Sequence, residues 1–254
     1  MPGLKDTVKN WLLDKGLYYR WADRRFYSHP AHQKQLEFYV QFVGKGQTVF
    51  DIGANIGQRS KIFADLGAVV HAFEPQPYCI RHFNSRLGHR KNVHLHPEAV
   101  SDKNGTAQLL LSSSHTLATL SREYATGIGK RIFKNEEWNR HIEVPTTTLD
   151  LAIEKFGMPS LVKIDVEGHE YSVLRGLSNP VRVITFEFIP GQADKTIGCV
   201  ELLMSISNNY RFNYTLGEAL DFQEQEHQPG EVFVNHPVMH SGKSFGDIVA
   251  ILPS

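Results

Sequence analysis

The chain has 254 residues, a length that fits one large α/β domain or two small ones. Its composition, 41% hydrophobic and 21% charged residues, is typical of a soluble globular protein. Lysine and arginine number 27, and so do aspartate and glutamate, so no net charge favours nucleic acid or an anionic membrane. The only two cysteines, Cys79 and Cys199, are too few for a disulfide framework and do not form a metal-binding pair.

The N-terminal segment carries apolar residues at helical spacing, namely Leu4, Val8, Trp11 and Leu12. Charged residues interrupt them, so they do not form the continuous apolar stretch of a secretion signal, and no run reaches transmembrane length. We expect an amphipathic helix that packs on its own domain, with a membrane-surface or partner role as the alternative. The expected location is the cytoplasm.

The rest of the chain alternates between short apolar runs and helical patterns. Residues 1–46 predict an aromatic-rich helical cap, and residues 47–254 predict the main domain. The runs that predict strands are Gln47–Ile52, Ala68–Phe73, Val93–His96, Leu161–Asp165, Val181–Phe188, Arg211–Leu216 and an antiparallel Asp247–Leu252. The runs that predict helices are Gln33–Val43, Gln58–Leu66, Pro77–Leu87, Thr148–Lys155, Glu170–Leu177 and Ala193–Asn208. This alternation predicts an α/β fold with a mostly parallel, seven-stranded sheet and helices on both faces.

Between the third and fourth of these strands, the pattern is less regular. Glu98–Ser101 and Thr106–Leu111 flank a turn and predict a hairpin or a β-arch, and His141–Pro145 predicts a further strand. Ser112–Arg140 is polar and predicts an irregular segment of the kind that forms a lid or a binding loop.

The first strand leads into the turn Asp51-Ile52-Gly53-Ala54-Asn55-Ile56-Gly57. In an open α/β sheet, ligands bind beyond the carboxyl ends of the strands, and glycine lets a backbone approach a ligand closely. A dinucleotide would require G-x-G-x-x-G, but Asn55 stands at the position of the middle glycine. The carboxylate of Asp51 suits the ammonium of a methionyl group better than it suits a pyrophosphate.

A second carboxylate supports S-adenosylmethionine as the ligand. Glu74 ends the next strand, 21 positions after Gly53, a spacing at which a carboxylate accepts hydrogen bonds from ribose hydroxyls. The alternative is an ordinary tight turn followed by a solvated strand end, since short glycine motifs also match by chance.

The ordered motifs resemble the FkbM family of methyltransferases over roughly residues 47–190. They are residues 51–57, Phe73-Glu74-Pro75, Ala99-Val100-Ser101-Asp102, Thr148-Leu149-Asp150, residues 162–170 (VKIDVEGHE) and Val173-Leu174-Arg175-Gly176. The resemblance implies a Rossmann-like class I fold, S-adenosylmethionine as cofactor and O-methylation of sugars, glycolipids or natural products. It places Asp51, Gly53, Asn55 and Gly57 at the methionyl part and Glu74 at the ribose, with Ser101 near the adenine.

The acidic cluster Asp165–Glu170 follows a buried strand and predicts the reacting end of the site. An alcohol is a poor nucleophile at neutral pH, so a base or a metal ion should assist it. We expect Asp165 to orient or deprotonate the acceptor or to bind a metal. His169 has the ordinary pKa of a base and is a candidate for that role, with packing or helix capping as the alternative. Glu187, in another buried strand, is expected to face the site or to pair with another group.

Other clusters carry weaker hypotheses. A divalent ion on Asp165, Glu167 and Glu187 is conceivable, but no compact ligand motif supports it. His94 and His96 are interpreted as surface residues rather than ligands. The aromatic residues of the cap are interpreted as its own core or as a sugar platform: Trp11, Tyr18, Tyr19, Trp21, Phe26 and Tyr27. A basic group in the cap, Arg20, Arg24 and Arg25, is interpreted as a solvated face or an anion-binding site.

Three functions therefore remain open from the sequence. The first is an S-adenosylmethionine-dependent methyltransferase acting on a small-molecule or carbohydrate acceptor and not on nucleic acid. The second is a dinucleotide-dependent oxidoreductase, and the third is a non-catalytic protein that keeps the cofactor pocket. Oligomeric state is not predicted.

Overall fold

The computed structural model describes residue 9 and residues 11–13, 18–19, 30–112, 117–217, 220–240 and 244–253. Several residues of the predicted N-terminal helix, aromatic patch and basic group lie outside these ranges, among them Leu4, Val8, Arg20, Trp21, Arg24, Arg25, Phe26 and Tyr27. Within the described residues, no helix is both long enough and apolar enough to span a membrane.

The described chain alternates between strands and helices in the order expected of an α/β protein. The strands are β1 (Thr48–Ile52), β2 (Val69–Phe73), β3 (Val93–His96), β4 (Ala99–Val100), β5 (Gly105–Leu111), β6 (Ala118–Thr119), β7 (Arg140–Thr147), β8 (Leu161–Ile164), β9 (Val183–Phe188), β10 (Arg211–Tyr214), β11 (Gln228–Pro229) and β12 (Gly246–Ile251). The helices are α1 (Pro30–Tyr39), α2 (Gln58–Asp65), α3 (Pro77–Leu87), α4 (Arg122–Thr126), α5 (Ile128–Ile132), α6 (Leu149–Phe156), α7 (Glu170–Arg175), α8 (Ala193–Ile206), α9 (Gly230–Phe233) and α10 (Pro237–His240).

The main sheet has eight strands in the order β11-β10-β12-β9-β8-β1-β2-β3. The strands β1, β2, β3, β8 and β9 run parallel, and β12 runs antiparallel to both of its neighbours, as predicted for the last strand. The sheet is therefore mixed and has eight strands, so the prediction of a mostly parallel sheet of seven strands is corrected in the number of strands and in their direction. The extra strand, β11, has two residues and pairs only at the edge of β10, so it leaves no apolar run in the sequence.

Alternate residues of the central strands face opposite layers, and both faces are buried. Val49 packs into one apolar cluster with residues of α1, α2 and α3, whereas its neighbour Phe50 packs into another with residues of α6, α7 and α8. Because both faces are covered, these strands are continuous apolar runs, which is why the sequence predicts them well. The strand order reverses direction between β1 and β8, and that switch point is where ligands bind in such sheets.

A second, four-stranded sheet in the order β4-β7-β5-β6 lies outside the predicted architecture. Of the two alternatives predicted for this turn, a hairpin or a β-arch, the hairpin is not formed, because β4 and β5 both pair with β7 rather than with each other. The expectation that residues 112–140 are irregular is also wrong in part, since α4 and α5 lie there. Ser121 caps α4 by accepting a hydrogen bond from the Tyr124 amide, and the buried Tyr124 of α4 and Ile128 of α5 pack with Ile189 in a small apolar cluster.

Histidines of β2 and β3 form a cluster at the edge of the main sheet. His71 Nδ1 lies 3.0 Å from His96 Nε2, and the His71 ring stacks on Phe156 of α6 at 4.2 Å between centroids. His94 is exposed, as expected, but His96 is half-buried. Burial, followed by the charges of Lys155 and His94, lowers the pKa of His96 to about 4.

This depressed pKa predicts a pH-dependent stability. A neutral histidine with a lowered folded pKa stabilises the protein above its unfolded pKa of about 6.5, and that stability is lost as the pH falls towards the folded value. We expect His96→Gln to lose less unfolding free energy than the parent between about pH 7 and pH 5, as measured by urea denaturation. His141→Gln removes an exposed imidazole on β7 and serves as control. An equal pH dependence in parent and His96→Gln would contradict the prediction.

Candidate active site

A cavity opens at the carboxyl ends of β1, β2 and β8, the edge of an open α/β sheet at which ligands bind. The second sheet covers it, because residues 99–100 of β4 and residues 118–120 at β6 line the opposite wall. The polar residues that line it are Asn55, Glu74, Gln76, Thr119, Asp165, Glu167 and His169. The cavity thus joins the two halves of the site that the sequence predicts.

The carboxylate of Glu74 is fixed in place by the backbone on either side of it. Its Oε2 accepts a hydrogen bond from the Asn55 amide at 2.9 Å, and its Oε1 accepts one from the Gln76 amide at 2.8 Å. Burial raises the pKa of Glu74 to about 7, although the two amides act in the opposite direction. Each oxygen keeps a further acceptor position, so this carboxylate can bind two neighbouring hydroxyls at the cavity wall.

The turn after β1 is built from three residues with left-handed backbone, Gly53, Asn55 and Gly57. Asn55 tolerates a φ of 51° because its side-chain Oδ1 accepts a hydrogen bond from the next amide at 2.8 Å. Gly53 packs so tightly on the turn after β8 that a Cβ atom would stand 1.9 Å from the Asp165 carbonyl oxygen. The glycine is therefore required for contact between two turns of the protein, besides any approach of a ligand.

This contact predicts that Gly53→Ala lowers the unfolding free energy by about 2–3 kcal/mol, combining left-handed strain with overpacking. Gly46→Ala is the matched control, because Gly46 has a similar φ of 79° against 75° but nothing within 4 Å of the added Cβ. The control should lose only the conformational part, about 1 kcal/mol. Urea denaturation of both variants gives the comparison, and equal losses would show that the contact with Asp165 is unimportant.

Beneath the cavity floor, Lys163 joins two aspartates. Its Nζ lies 2.9 Å from Asp165 Oδ2 and 3.8 Å from Asp51 Oδ1, and Asp51 Oδ2 accepts a hydrogen bond from Ser60 at 2.5 Å. Asp51 is fully buried and does not line the cavity, whereas the Asp165 side chain is 42% exposed. Burial lowers the pKa of Lys163, but Asp165 and Asp51 together raise it above its ordinary value. The ammonium therefore stays charged and holds Asp165 at the cavity mouth.

The acidic loop after β8 is held by its own carboxylates and by α4. Glu170 Oε1 accepts hydrogen bonds from the Val166 and Gly168 amides, both at 3.1 Å, so this residue shapes the loop from the start of α7. Glu167 lines the cavity and accepts a hydrogen bond from the Tyr124 hydroxyl at 2.5 Å. Burial and the neighbouring Asp165 raise the pKa of Glu167 to about 8.

His169 closes the loop at the edge of the second sheet. Its Nε2 lies 2.9 Å from Ser101 Oγ, and Ser101 itself does not line the cavity. Burial lowers the pKa of His169 to about 4, so the ring is neutral near pH 7 and is a weaker base than an exposed histidine. Ser101 thus contacts the site through His169.

Glu187 lies behind the cavity rather than on its wall. It stands opposite Asp247 of β12, and its Oε2 is buried with no hydrogen-bond partner among the described residues. Burial and the carboxylates of Asp165, Glu167, Glu170 and Asp247 raise its pKa well above the ordinary value, which favours a protonated group.

Within the described residues, no group of three or more potential ligands is placed to hold a metal ion, so the conceivable site on Asp165, Glu167 and Glu187 gains no support.

Comparison with known proteins then decides the family. The methyltransferase FkbM domain matches residues 51–233, which is well over half of the chain and includes every cavity residue. The chain belongs to the FkbM methyltransferase family. It therefore carries a methyltransferase domain with a Rossmann-like sheet, and the methyl donor that this membership implies is S-adenosylmethionine.

Two curated methyltransferases are similar to the chain. One is the 31-O-demethyl-FK506 methyltransferase FkbM of Streptomyces tacrolimicus, 30% identical over 158 residues, which cover 53% of this chain and 60% of that protein. The other is the hexuronic acid methyltransferase AglP of Haloferax volcanii, 24% identical over 174 residues, which cover 63% of this chain and 62% of that protein. The chain thus spans about three fifths of the length of each relative.

Solved structures also resemble the FkbM-family chain. Precorrin-6y C5,15-methyltransferase from Geobacter metallireducens has a TM-score of 0.47 at 13% identity, with 87% of this chain and 86% of that chain covered. Aeropyrum pernix fibrillarin, in complex with natively bound S-adenosyl-L-methionine, has a TM-score of 0.41 at 10% identity, with 83% and 68% covered. Both TM-scores are below 0.5, and the strand order itself remains the evidence for the fold.

Five of the predicted site residues meet at the cavity wall of the FkbM domain, namely Gly53, Asn55, Glu74, Asp165 and His169. The other four, Asp51, Gly57, Ser101 and Glu187, do not line the cavity, and of these Ser101 contacts a wall residue, His169. Their roles toward cofactor and acceptor stay predictions.

The sequence interpretation assigned no role to Lys163 and Tyr124. A lysine inside the apolar strand β8 is a signal that was available, since a buried charge needs a partner. Tyr124 lies in the segment predicted to be irregular, and nothing in its local sequence indicates that its hydroxyl meets Glu167.

Proposed function

We propose that this chain transfers the methyl group of S-adenosylmethionine to a hydroxyl oxygen of a small-molecule or carbohydrate acceptor. The observation that carries the proposal is the single cavity in which Glu74, fixed by two backbone amides, faces the acidic loop of Asp165, Glu167 and His169. A site for the nucleoside of the cofactor and a site for acid–base chemistry therefore border the same space.

The charge of the cavity supports this cofactor over a dinucleotide. Among the described residues that line it, three are carboxylates and none is lysine or arginine. Such a lining offers no cation to the pyrophosphate of a dinucleotide, whereas S-adenosylmethionine, with a sulfonium, an ammonium and one carboxylate, has a net positive charge that ionised carboxylates favour. We assign Glu74 to the ribose and the turn Gly53–Asn55 to the methionyl part. Asp51 and Gly57 hold that turn from behind through Ser60 and the Phe83 ring, respectively.

When bound, S-adenosylmethionine supplies a methyl carbon that its sulfonium group has already activated for displacement. The protein must then align an acceptor hydroxyl with that carbon and take its proton. Asp165 is suited to accept a hydrogen bond from the hydroxyl, because Lys163 fixes one of its oxygens at 2.9 Å while the side chain stays partly exposed. His169 borders the same space. Glu187 does not line the cavity, and its role is to influence the acidic loop electrostatically, as a charged or a protonated carboxyl.

The acceptor class rests on the relatives. Their names give a natural-product acceptor for one, 31-O-demethyl-FK506, and a hexuronic acid for the other. We infer an acceptor hydroxyl on a sugar, a glycolipid or a natural-product scaffold. A cytoplasmic location belongs to the same proposal, and it is supported by Cys79 and Cys199 both being buried thiols rather than parts of a disulfide.

The experiment that tests the cofactor is calorimetric titration of the purified protein with S-adenosylmethionine and S-adenosylhomocysteine, with NADH and NADPH as controls. We expect saturable binding of the first pair only. Binding of NADH or NADPH alone would replace the methyltransferase proposal by the oxidoreductase alternative.

The experiment that tests the reaction is incubation with S-adenosylmethionine and a panel of neutral hexosides, hexuronic acids and macrolide alcohols. Mass spectrometry detects a methylated product, and NMR shows whether oxygen carries the methyl group. Cofactor binding without any methylated product across the panel would favour the non-catalytic alternative.

A further inference from the structure

Glu167 is held in an unusual backbone conformation at the cavity wall. It adopts a left-handed φ of 54°, and Gly168 follows with 86°. Such strain in a glutamate persists only where surrounding contacts enforce it, and it concentrates at functional sites. One of these contacts is the Thr119 hydroxyl, which donates to the Glu167 carbonyl oxygen at 2.8 Å.

Tyr124 aims the carboxylate of Glu167. The phenol is almost wholly buried, its hydroxyl donates to Glu167 Oε2 at 2.5 Å, and its ring lies so close to Gly168 that a Cβ atom there would stand 2.9 Å from it. Packing alone would be satisfied by phenylalanine, so the hydroxyl serves the carboxylate. With Oε2 held by Tyr124, Oε1 is the oxygen left for a group in the cavity.

We propose that Glu167 takes the proton of the acceptor hydroxyl and that Tyr124 is the positioning residue that orients it. This inference rests on the proposed methyl transfer. As the acceptor oxygen bonds to the methyl carbon and the carbon–sulfur bond breaks, the hydroxyl proton passes to Glu167. The sulfonium charge and the carboxylate charge disappear together, so the step balances.

The groups that face Glu167 favour this role over His169. Asp165 from the end of β8, Glu170 from α7 and Glu187 from β9 surround it, with Tyr124 from α4, while Lys163 is the nearby cation. Burial and these carboxylates give Glu167 a pKa of about 8, so it is a stronger base than an ordinary glutamate once it is ionised. The pKa of His169, lowered to about 4, makes that ring the weaker base.

This arrangement has a consequence that needs no acceptor. Near pH 7 the free protein should hold a proton on Glu167, and a cation bound beside it should expel that proton by favouring the ionised form. S-adenosylmethionine carries the sulfonium charge and S-adenosylhomocysteine does not. Titration calorimetry with both probes, in phosphate and in Tris buffer, measures the protons released by each. We expect the first probe to release more, by up to about one proton.

Three variants test whether the Glu167 carboxylate itself, rather than the folding of the loop around it, causes the difference in proton release. Glu167→Gln should still bind S-adenosylhomocysteine within about threefold but lose the difference in proton release between the probes. Tyr124→Phe removes a hydrogen bond that lowers the pKa of Glu167, so the difference should persist and shift to higher pH. Glu143→Gln, an exposed carboxylate on β7, is the control and should behave as the parent.

The outcomes distinguish this proposal from the proposed function. An unchanged difference in Glu167→Gln, or no difference in the parent protein despite binding of both probes, overturns the assignment of Glu167 but leaves the methyltransferase intact. Failure of the parent to bind either probe overturns the proposed function itself, and the assignment of Glu167 with it. With an acceptor from the panel, Glu167→Gln should lower kcat at least about 100-fold with little change in KM, with partial rescue in Glu167→Asp.

Discussion

Replacing Lys163 by methionine should lower the unfolding free energy by about 3–5 kcal/mol, because it leaves buried aspartate charge without its partner. Asp51 is fully buried, and the Ser60 hydroxyl donates a hydrogen bond to its Oδ2. Burial already raises the pKa of Asp51, and Lys163 is the strongest influence in the opposite direction. Without the ammonium, the native state would favour a protonated Asp51.

The pH dependence and a second substitution test this cause. Burial raises the folded pKa of Asp51 in the parent, and the loss of Lys163 should raise it further. Both proteins should then lose stability as the pH rises above the unfolded pKa of about 4, but the loss continues to higher pH in Lys163→Met, so the deficit of the variant should grow once the pH passes the folded pKa of the parent. Adding Asp51→Asn removes the uncompensated charge and should recover part of the loss at pH 7. Urea denaturation at several pH values measures both effects.

The matched control is Lys34→Met, which removes an ion pair with Asp221 whose side chains are 45% and 56% exposed. An exposed pair of this kind should cost less than about 1 kcal/mol. If Lys163→Met costs no more than Lys34→Met, the buried network has no structural importance. The Asp165 side chain would then need another explanation for its position at the cavity mouth.

The main sheet could be predicted because burial on both faces forces each central strand to be a continuous apolar run. The same physics explains the failures. β4 and β11 have two residues each and leave no such run, and the pairing of β4 and β5 with β7 joins positions that are 29 to 47 residues apart in sequence. A local turn such as Asp102–Gly105 cannot distinguish a hairpin from an arch, because both need a reversal at that point.

The candidate site was predictable where strand ends carry the chemistry. Glu74 and Asp165 each follow a buried strand, and parallel strands bring their carboxyl ends to one edge. Whether a carboxylate then faces the cavity depends on side-chain direction. Asp51 alternates with Phe50 and Ile52 inside β1, so its side chain turns into the layer of Ser60 instead. Tyr124 could not be predicted, since its partner Glu167 lies 43 residues away.

The prediction with the largest expected effect on binding concerns Glu74. Glu74→Ala should weaken S-adenosylhomocysteine binding by at least about 100-fold, since hydrogen bonds to a charged group contribute about 1.5–3 kcal/mol each and the ribose offers two hydroxyls. The substitution also leaves the Asn55 and Gln76 amides without their acceptor, so part of any loss could come from a disordered turn. Glu74→Gln keeps one acceptor oxygen and separates the loss of charge from the loss of the turn.

A ligand change isolates the ribose contact from the turn. The 2′-deoxy analogue of S-adenosylhomocysteine should bind the parent protein about 10-fold or more weakly than the full ligand, because one charged hydrogen bond is lost. In Glu74→Ala the two ligands should bind equally, since the partner of that hydroxyl is gone. Calorimetry of both proteins with both ligands gives the coupling free energy between Glu74 and the 2′-hydroxyl. Because burial raises the pKa of Glu74 to about 7, the preference for the ribose ligand should also weaken as the pH falls below that value and the carboxylate takes up a proton. An undiminished preference in Glu74→Ala would mean that the ribose lies elsewhere in the cavity, and Glu74 would then be a structural carboxylate that only fastens the turns after β1 and β2.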